Sequence, residues 1–420
     1  MAQSLGDFIA EIGIIDVHEH HIPEILLNPD VNLLQLFQQS YAGWTQARPY
    51  PLPSETRDTD PMLAQPGSST WQGIAPFLEQ SGSNSFVQNL VAAITELHSP
   101  GHRAITPDNW QQIDASVRQQ HQKPDWCRET LRRAGIAHLI TDPYTDPLLD
   151  ARAALGNNYN SVVRINSFAC GWHPESRDHN GNNAWTLLRK LGSAPACFDD
   201  YLAGLEKLID GMASRHQLAL KNALAYDRSL DFDEPDEKLA RQAWGKASPS
   251  FAERKAFGDF VIDRLCQLAG ERDLPMQMHV GTAIIRGSHP LKVAGLIERH
   301  PRTRFLLMHL AYPWSHDLLG MAFVYRNIWL DLTWSLLLSP SHFKRALHEA
   351  IEMLPDESRM MLGGDNWHVE ETYGTMKLAR HLLAEVLEEK CAGGYFAEAD
   401  ARRLASKILR ENAITFFRLG

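Results

Sequence analysis

The sequence predicts a (β/α)₈ barrel, and three observations lead to this fold class. Short apolar segments rich in β-branched residues recur along the chain, and a helical stretch follows most of them. Several of these segments are apolar almost throughout, as expected of parallel strands that are buried on both faces. Eight such units predict a closed parallel barrel. An open doubly wound sheet is the alternative, but no glycine fingerprint follows the first strand to support it.

The eight predicted strands are bounded by glycine, proline and polar residues. They are Gly13–His18, Ile136–Thr141, Val162–Phe168, Gln217–Ala223, Pro275–Val280, Arg304–Leu310, Ile328–Thr333 and Met360–Asp365. Helices are predicted between many of them, for example at Glu253–Arg272 and His342–Leu354. Two further helices, at Gly374–Cys391 and Ala397–Leu419, are predicted to close the outside of the barrel. Because no linker separates two domains, residues 1–420 are predicted to form a single barrel.

A long segment, residues 22–133, separates the first two predicted strands. It contains the polar stretch "PYPLPSETRDTDPMLAQPGSS" and several amphipathic helical pieces. A segment of this length cannot be a simple loop between a strand and a helix. Because it leaves from the C-terminal end of a strand, we predict that it forms a cap or lid over the mouth of the barrel.

The composition narrows the class of protein and its partners. The net charge is −10 and the basic residues are scattered, which argues against nucleic-acid binding. No apolar run approaches the ~20 residues of a membrane span, and the N-terminus does not resemble a signal peptide. Five widely spaced cysteines without a CxxC pair favour a reduced, cytoplasmic setting. A small-molecule substrate is expected, and a homo-oligomer is left open.

The first candidate site lies in "IIDVHEHH", where an apolar strand ends on His18 and His20. Alternate residues of a strand share one face, so both imidazoles are predicted to point into the barrel. Such a pair can hold one cation, although histidine pairs also arise by chance in a chain with 19 histidines. Asp16 is expected to orient one of the two histidines.

Three more polar residues end apolar runs, where the functional groups of a barrel converge. They are His279 in "PMQMHVG", His309 in "RFLLMHL" and Asp365 in "MMLGGD". A single histidine at a strand end is as often a hydrogen-bonded residue without a chemical role as a functional one. Four histidines and one aspartate at strand ends favour a metal site. Nitrogen ligands with one carboxylate favour Zn²⁺, with Mn²⁺ or Fe²⁺ as alternatives, and one or two ions are expected.

The order of these residues resembles the amidohydrolase superfamily, and within it the amidohydrolase 2 branch. The C-terminal "ILRENAITFFRLG" is similar to the helix that ends many members. The stretches "LALKNALAYDRSL", "MHLAYPW" and "LDLTWSLLLSP" resemble the amidohydrolase domains fused to glutamine synthetase in fungal developmental and plant nodulin proteins. The long cap and "LITDPYTDP" more distantly resemble uronate isomerases.

The resemblance implies roles for three residues of the predicted site. Lys221, at the end of the fourth strand, corresponds to a carbamylated lysine that bridges two metal ions in dinuclear members. The alternative is a lysine that binds a substrate carboxylate or pairs with an acid. Asp365 is expected to bind the metal and to take a proton from a metal-activated water. His309 either binds a second ion with His279 or polarises the substrate carbonyl.

Several residues on loops after the predicted strands are candidate substrate contacts. They are Trp172, His173, Tyr226, Arg228 and Trp334. Arg228 is the preferred carboxylate clamp, because a guanidinium binds carboxylates in a bidentate manner. For each aromatic residue the alternative is ordinary loop packing.

These observations favour a metal-dependent hydrolase that acts on an amide, or a related C–N, lactone or ester bond, of a small carboxylate-bearing substrate. The first alternative is aldose–ketose isomerisation of a uronate on the same barrel. A non-catalytic or regulatory domain is a further alternative, although the ligand set looks complete. Lyase chemistry, such as decarboxylation, is the last.

Overall fold

Eight strands form one sheet in the order β1-β2-β3-β4-β5-β6-β7-β8, so the predicted (β/α)₈ barrel is confirmed. The structure is a computed structural model that describes residues 3–46 and 67–419, and most of the polar stretch quoted above lies outside the described residues. The strands are β1 (Ile14–Glu19), β2 (Ile136–Thr141), β3 (Tyr159–Arg164), β4 (Gln217–Asn222), β5 (Pro275–Met278), β6 (Arg304–Leu307), β7 (Ile328–Asp331) and β8 (Met360–Met361).

Most predicted strands differ from the observed ones by a few residues at their ends. The prediction for the last strand was the least accurate, because the strand ends at Met361 and Leu362–Asp365 continue without strand geometry. The third strand starts earlier than predicted and ends at Arg164, after which Asn166–Ala169 form one helical turn. Strands β3 to β7 pair in parallel, as the barrel requires.

Helices fill the connections between the strands. Helix α1 (Leu5–Glu11) precedes β1. The helices between β1 and β2 are α2 (Pro23–Leu26), α3 (Leu33–Gln38), α4 (Tyr41–Trp44), α5 (Trp71–Glu79), α6 (Ser85–His98), α7 (Trp110–His121) and α8 (Trp126–Arg133). The next are α9 (Ala151–Leu155), α10 (Asn166–Ala169), α11 (Ala184–Lys190), α12 (Phe198–Asp210), α13 (Glu237–Ala243), α14 (Phe251–Glu271), α15 (Ala294–Arg299), α16 (Ser315–Val324), α17 (Ser335–Leu338) and α18 (Pro340–Met353).

Three helices follow the last strand. They are α19 (Val369–Ala392), α20 (Glu398–Ser406) and α21 (Asn412–Phe417), with a π-helical segment at Lys407–Glu411. The second closing helix predicted from the sequence is therefore interrupted. Among the described residues, no helix combines the length and apolar character needed to cross a membrane.

The chain divides into two compact units. The first comprises Met1–Leu139, Leu332–Glu349 and Met361–Ala413, and it contains β1 and the helices α2–α8. The second comprises Ile140–Asp331, Ala350–Met360 and Ile414–Gly420, and it contains β3–β7.

The segment between β1 and β2 has an apolar core of its own within the first unit. Buried side chains from Val31 to Val117, among them Phe37, Phe77 and Ile94, pack against one another. Helix α6 of this segment also packs along α19. The segment is therefore a folded helical insertion rather than an extended loop.

A single buried carboxylate joins three helices of the insertion to the first turn of α19. The Oε1 atom of Glu370 accepts hydrogen bonds from His98 Nε2 (3.3 Å), His121 Nε2 (2.9 Å) and Trp126 Nε1 (3.1 Å). Burial works to raise the pKa of Glu370, but His121 and His98 outweigh it and hold the pKa well below the usual range. Glu370 is therefore ionised, and its charge is stabilised by these donors.

The two glycines before Asp365 allow the chain to pass close to β1. A methyl group on Gly363 would lie 2.6 Å from Thr333 Oγ1, 2.7 Å from the backbone nitrogen of His18 and 2.9 Å from Asp16 Oδ1. None of these atoms is the flexible end of a long side chain, so they cannot move away without shifting the backbone. Only glycine fits this position.

We expect Glu370→Gln to destabilise the protein by about 2–4 kcal/mol, because the amide removes a buried charge to which three donors point. The stabilisation is present above the unfolded pKa of 4.5 and is lost as the pH falls through the lower folded value. The free energies of unfolding in urea of the wild type and of Glu370→Gln should therefore differ most near neutral pH and converge in acid. Glu389→Gln, at an exposed ion pair on the same helix, is the control and should change little. A difference that grows in acid would contradict the assignment.

We expect Gly363→Ala to lower the free energy of unfolding by about 1–3 kcal/mol, because the added methyl group overpacks the contact with β1. The matched control is Gly320→Ala in α16, where a methyl group would meet nothing within 4 Å. That substitution should be neutral or stabilise by about 0.5–1 kcal/mol. Equal unfolding midpoints for the two variants would show that the close approach is not constraining.

Candidate metal centre

Three predicted ligands come together in the first unit. The Oδ1 atom of Asp365 lies 3.4 Å from His18 Nε2 and 3.2 Å from His20 Nε2. All three side chains are buried. Ligand atoms that surround a tetrahedral Zn²⁺ at 2.0–2.1 Å lie about 3.3 Å from one another. The spacing and the donor types therefore fit one divalent cation.

The backbone that carries Asp365 is tied directly to the end of β1. The N–H groups of Gly364 and Asp365 donate to the carbonyl oxygen of His18, at 3.1 and 2.8 Å. Asp365 has a φ of +72°, in the left-handed region that a residue with a side chain rarely adopts. This conformation follows from the hydrogen bonds to β1, and it fixes the direction of the carboxylate.

Tyr41 is a site residue that the sequence reasoning missed. It begins α4 of the insertion, and its hydroxyl donates to Asp365 Oδ2 at 2.7 Å. Its ring packs between Trp334 and Trp367, with centroid distances of 5.0 and 4.8 Å. No periodic pattern marks this tyrosine in the sequence, because its role depends on how the insertion folds back onto the barrel.

Two acids of β1 support the ligands from behind. Asp16 Oδ1 accepts hydrogen bonds from the N–H groups of His18 (3.1 Å) and Gly364 (3.2 Å). Glu19 accepts from the Asn366 backbone N–H and from its side-chain amide. Burial, followed by repulsion from Asp16, raises the pKa of Glu19 well above its usual range. Burial and the neighbouring Asp16 thus disfavour the charged form of Glu19.

The groups at the start of α19 are also shaped by burial. Burial raises the pKa of Glu371 to about 8, although its carboxylate accepts hydrogen bonds from the backbone N–H groups of Tyr41 and Trp367. Burial lowers the pKa of His368 to about 4 and that of His21 to about 3. These two imidazoles are therefore neutral at physiological pH.

The second unit contains the other predicted histidines. His309 Nε2 lies 3.0 Å from His279 Nδ1, and His279 Nε2 lies 3.0 Å from the carbonyl oxygen of Thr282. A carbonyl can only accept, so His279 carries its proton on Nε2 and accepts the proton of His309 on Nδ1. Lys221 is buried, and its Nζ lies 2.6 Å from Met308 Sδ.

A buried ion pair that was not predicted lies at the ends of β2 and β3. Arg164 binds Asp142 through Nε (3.0 Å) and Nη2 (2.5 Å), and its Nη1 donates to Asn180 Oδ1 at 2.8 Å. Burial works to lower the pKa of Arg164, but Asp142 outweighs it and raises the pKa. The sequence reasoning read Arg164 only as part of a strand.

The predicted substrate contacts of the second unit have different surroundings. The ring of Tyr226 lies 4.6 Å from that of His279 and is half-buried. Arg228 donates to Asp259 on α14 at 2.6 Å, so its guanidinium holds a loop to that helix. Trp172 packs against Phe257, and the Nδ1 atom of His173 accepts the N–H of Glu175.

Trp334, the remaining predicted contact, belongs to the first unit and is buried against Tyr41, Trp44 and Phe86. Its φ is +60°, and that of His309 is +63°. Left-handed backbone at bulky residues is uncommon and clusters at functional sites.

Comparison with known proteins gives a family match for the C-terminal part of the chain and a fold for the whole of it. The amidohydrolase family model matches residues 231–419. Protein fluG from Emericella nidulans is 24% identical over 231 residues, which are 50% of this chain and 27% of that protein. The chain thus spans about a quarter of the length of this curated relative.

Solved structures match almost the whole chain at low sequence identity. A uronate isomerase from Thermotoga maritima has a TM-score of 0.75 at 14% identity and covers 98% of this chain and 96% of its own. A glucuronate isomerase from Caulobacter crescentus has a TM-score of 0.73 at 14% identity, with 99% and 93% covered. A putative metal-dependent hydrolase from Lactobacillus casei has a TM-score of 0.69 at 14% identity, with 100% and 98% covered. Residues 231–419 therefore match the amidohydrolase family model, and the whole chain shares the barrel fold of these solved structures.

Proposed function

We propose that the protein is a metal-dependent hydrolase that cleaves an amide, or a related C–N, lactone or ester bond, of a small carboxylate-bearing molecule. The observation that carries the proposal is the position of Asp365. One of its oxygens lies 3.2–3.4 Å from the Nε2 atoms of His18 and His20. The other oxygen accepts a hydrogen bond from the hydroxyl of Tyr41. A carboxylate in this place can bind a cation and also exchange a proton.

His18, His20 and Asp365 are the residues that would hold the ion, and Zn²⁺ suits their donor atoms best, with Mn²⁺ or Fe²⁺ as alternatives. When bound, a divalent ion supplies Lewis acidity and lowers the pKa of water from about 16 toward about 7. Asp16 and Glu19 support this role, because they accept hydrogen bonds from the backbone N–H groups of His18, Gly364 and Asn366.

The chain's own groups divide the proton transfers between them. Asp365 accepts the proton of the attacking water and delivers it to the leaving group. Tyr41 donates to Asp365 Oδ2 and thereby holds the carboxylate in one orientation. His309 donates the proton on its Nε2 to His279. Donating it instead to a developing oxyanion on the substrate requires the loss of this hydrogen bond.

We further propose that Lys221 and His279 serve the same reaction. In a (β/α)₈ barrel the C-terminal ends of all strands open on one face, and both residues follow or end such strands. Lys221 as a carbamate would provide ligands for a second ion. His279 already donates through Nε2 to Thr282, so binding an ion through that atom requires the loss of this hydrogen bond.

Isomerisation of a uronate is the second candidate function. The hydroxyl of Tyr41 and the carboxylate of Asp365 lie 2.7 Å apart, and such a pair can move a proton between adjacent carbons as well as to a leaving group. Screening the metal-loaded protein with γ-glutamyl amides, lactones and uronates separates the two functions. Turnover of uronates alone would replace the hydrolase proposal.

We propose that the protein acts in the cytoplasm. All five cysteines are free thiols, and unpaired thiols are typical of proteins in a reducing compartment.

A small-molecule substrate fits the barrel, because the strand-end residues that carry the chemistry are buried.

We expect the double variant His18→Ala/His20→Ala to lose the bound ion, because it removes two of three ligands. Elemental analysis of the purified proteins after growth with Zn²⁺ measures this directly. The matched control replaces His316 and His381, two exposed histidines, and should keep the wild-type metal content. An unchanged metal content in the His18/His20 variant would refute the assigned ligands.

We expect Asp365→Asn to lower kcat by a factor of about 10²–10⁴, because an amide keeps the shape but cannot take a proton at neutral pH. The ion should stay largely bound, and KM should change less than kcat. The control is Asp108→Asn at an exposed position, for which no change is expected. If the variant keeps its metal and more than about a tenth of wild-type kcat, Asp365 is not the base, and His309 becomes the candidate.

A further inference from the structure

Glu371 connects the insertion to the loop that follows β8. It lies in the first turn of α19 and is buried. Its Oε1 accepts the backbone N–H of Tyr41 at 3.1 Å, and its Oε2 accepts the backbone N–H of Trp367 at 3.3 Å. One carboxylate thus uses both of its oxygens on two segments that are more than 300 residues apart in the sequence.

These two segments carry the two ends of one side-chain hydrogen bond. Tyr41 presents its N–H to Glu371 and its hydroxyl to Asp365 Oδ2. Trp367 lies two residues after Asp365, and its ring packs against both Tyr41 and His20. Because Glu371 holds both backbones, it fixes the distance between the phenol and the carboxylate without touching either group.

We propose that Glu371 is a positioning residue that keeps the Tyr41 hydroxyl against Asp365 by binding the backbone N–H groups of Tyr41 and Trp367. The proposal rests on the proposed function in that Asp365 is taken as the reacting carboxylate. The hydrogen bonds themselves do not depend on which reaction the protein catalyses.

The neighbouring carboxylates of the same region do not share this role. Glu370 receives its hydrogen bonds from His98, His121 and Trp126. Glu96 of the insertion binds Tyr373 and Lys377 on α19. Both carboxylates join the insertion to α19. Among the described residues, neither of them forms a hydrogen bond with Tyr41 or with the segment at Asp365.

A glutamine cannot replace Glu371 without loss. It has one acceptor oxygen, and its NH₂ group would face an N–H donor. Glu371→Gln must therefore lose at least one of the two backbone hydrogen bonds. Glu96→Gln is the matched control, because it alters a contact between the same two parts of the chain and leaves Tyr41 untouched.

The first experiment is hydrogen exchange of the full-length protein, followed by mass spectrometry. In Glu371→Gln, amides in peptides that cover Tyr41 or Trp367 should exchange about 10- to 100-fold faster, the effect expected when a buried donor loses its acceptor. Glu96→Gln should leave these amides at the wild-type rate. Unchanged exchange at both amides in Glu371→Gln would overturn the proposal. Should that variant not fold, Glu371→Asp, whose shorter stem cannot reach both donors, tests the same expectation.

The second experiment is a double-mutant cycle with Zn²⁺ as the probe, using competition with a chelator. Groups that orient a metal ligand contribute about 10- to 100-fold to metal affinity, so Tyr41→Phe and Glu371→Gln should each weaken Zn²⁺ binding by about tenfold. If Glu371 acts through Tyr41, the double variant should be no weaker than the weaker-binding single variant. Multiplied effects would mean that Glu371 acts independently of Tyr41, and the proposal would fail. If the metal-site assignment is wrong, the His18→Ala/His20→Ala variant will keep its metal content. The hydrogen-exchange experiment does not depend on a bound metal and would still test the role of Glu371.

Discussion

The main-chain contact between the loop that follows β8 and the carbonyl oxygen of His18 is the interaction on which the candidate metal centre depends. Gly364 and Asp365 both donate to this oxygen, and Gly363 leaves room for their approach. The carboxylate of Asp365 therefore reaches His18 and His20 as a consequence of backbone geometry. The backbone thus holds the proposed ligands in place, which is what a preorganised site requires.

This arrangement carries a conformational cost. Asp365 and Trp334 in the first unit, and His309 in the second, have left-handed φ values. Each such residue costs on the order of 1–3 kcal/mol and persists only where its surroundings determine the conformation. For Asp365 the surroundings are two hydrogen bonds to β1 and one from Tyr41, and for Trp334 they are the aromatic rings of the insertion. Strain is thus located at the residues to which the chemistry is assigned.

The local sequence pattern was sufficient to predict the barrel and the proximity of His18, His20 and Asp365. It did not predict the contacts that the insertion makes with them. β2 was predicted with its observed bounds, because Gly135 precedes it and Asp142-Pro143 follows it. His18 and His20 both lie beside Asp365, as the period of two residues in a strand predicts, while their role as metal ligands stays a prediction. Tyr41 and Glu371 were missed, since a contact across 330 residues leaves no periodic trace. The end of β8 was predicted too late for a related reason: the close approach of Gly363 to β1 involves residues far away in the sequence.

The insertion and the first turn of α19 depend on each other and are expected to change together in evolution. The insertion has a core of its own, yet Glu370 and Glu371 complete its hydrogen bonds from outside its sequence. Recombination that exchanged residues 22–133 alone would leave His98, His121 and the backbone of Tyr41 facing an unrelated helix. A relative that acquires a different insertion must also acquire matching residues 249 to 330 positions downstream. Changes of specificity in this architecture are therefore expected to arise as paired substitutions rather than by exchange of one segment.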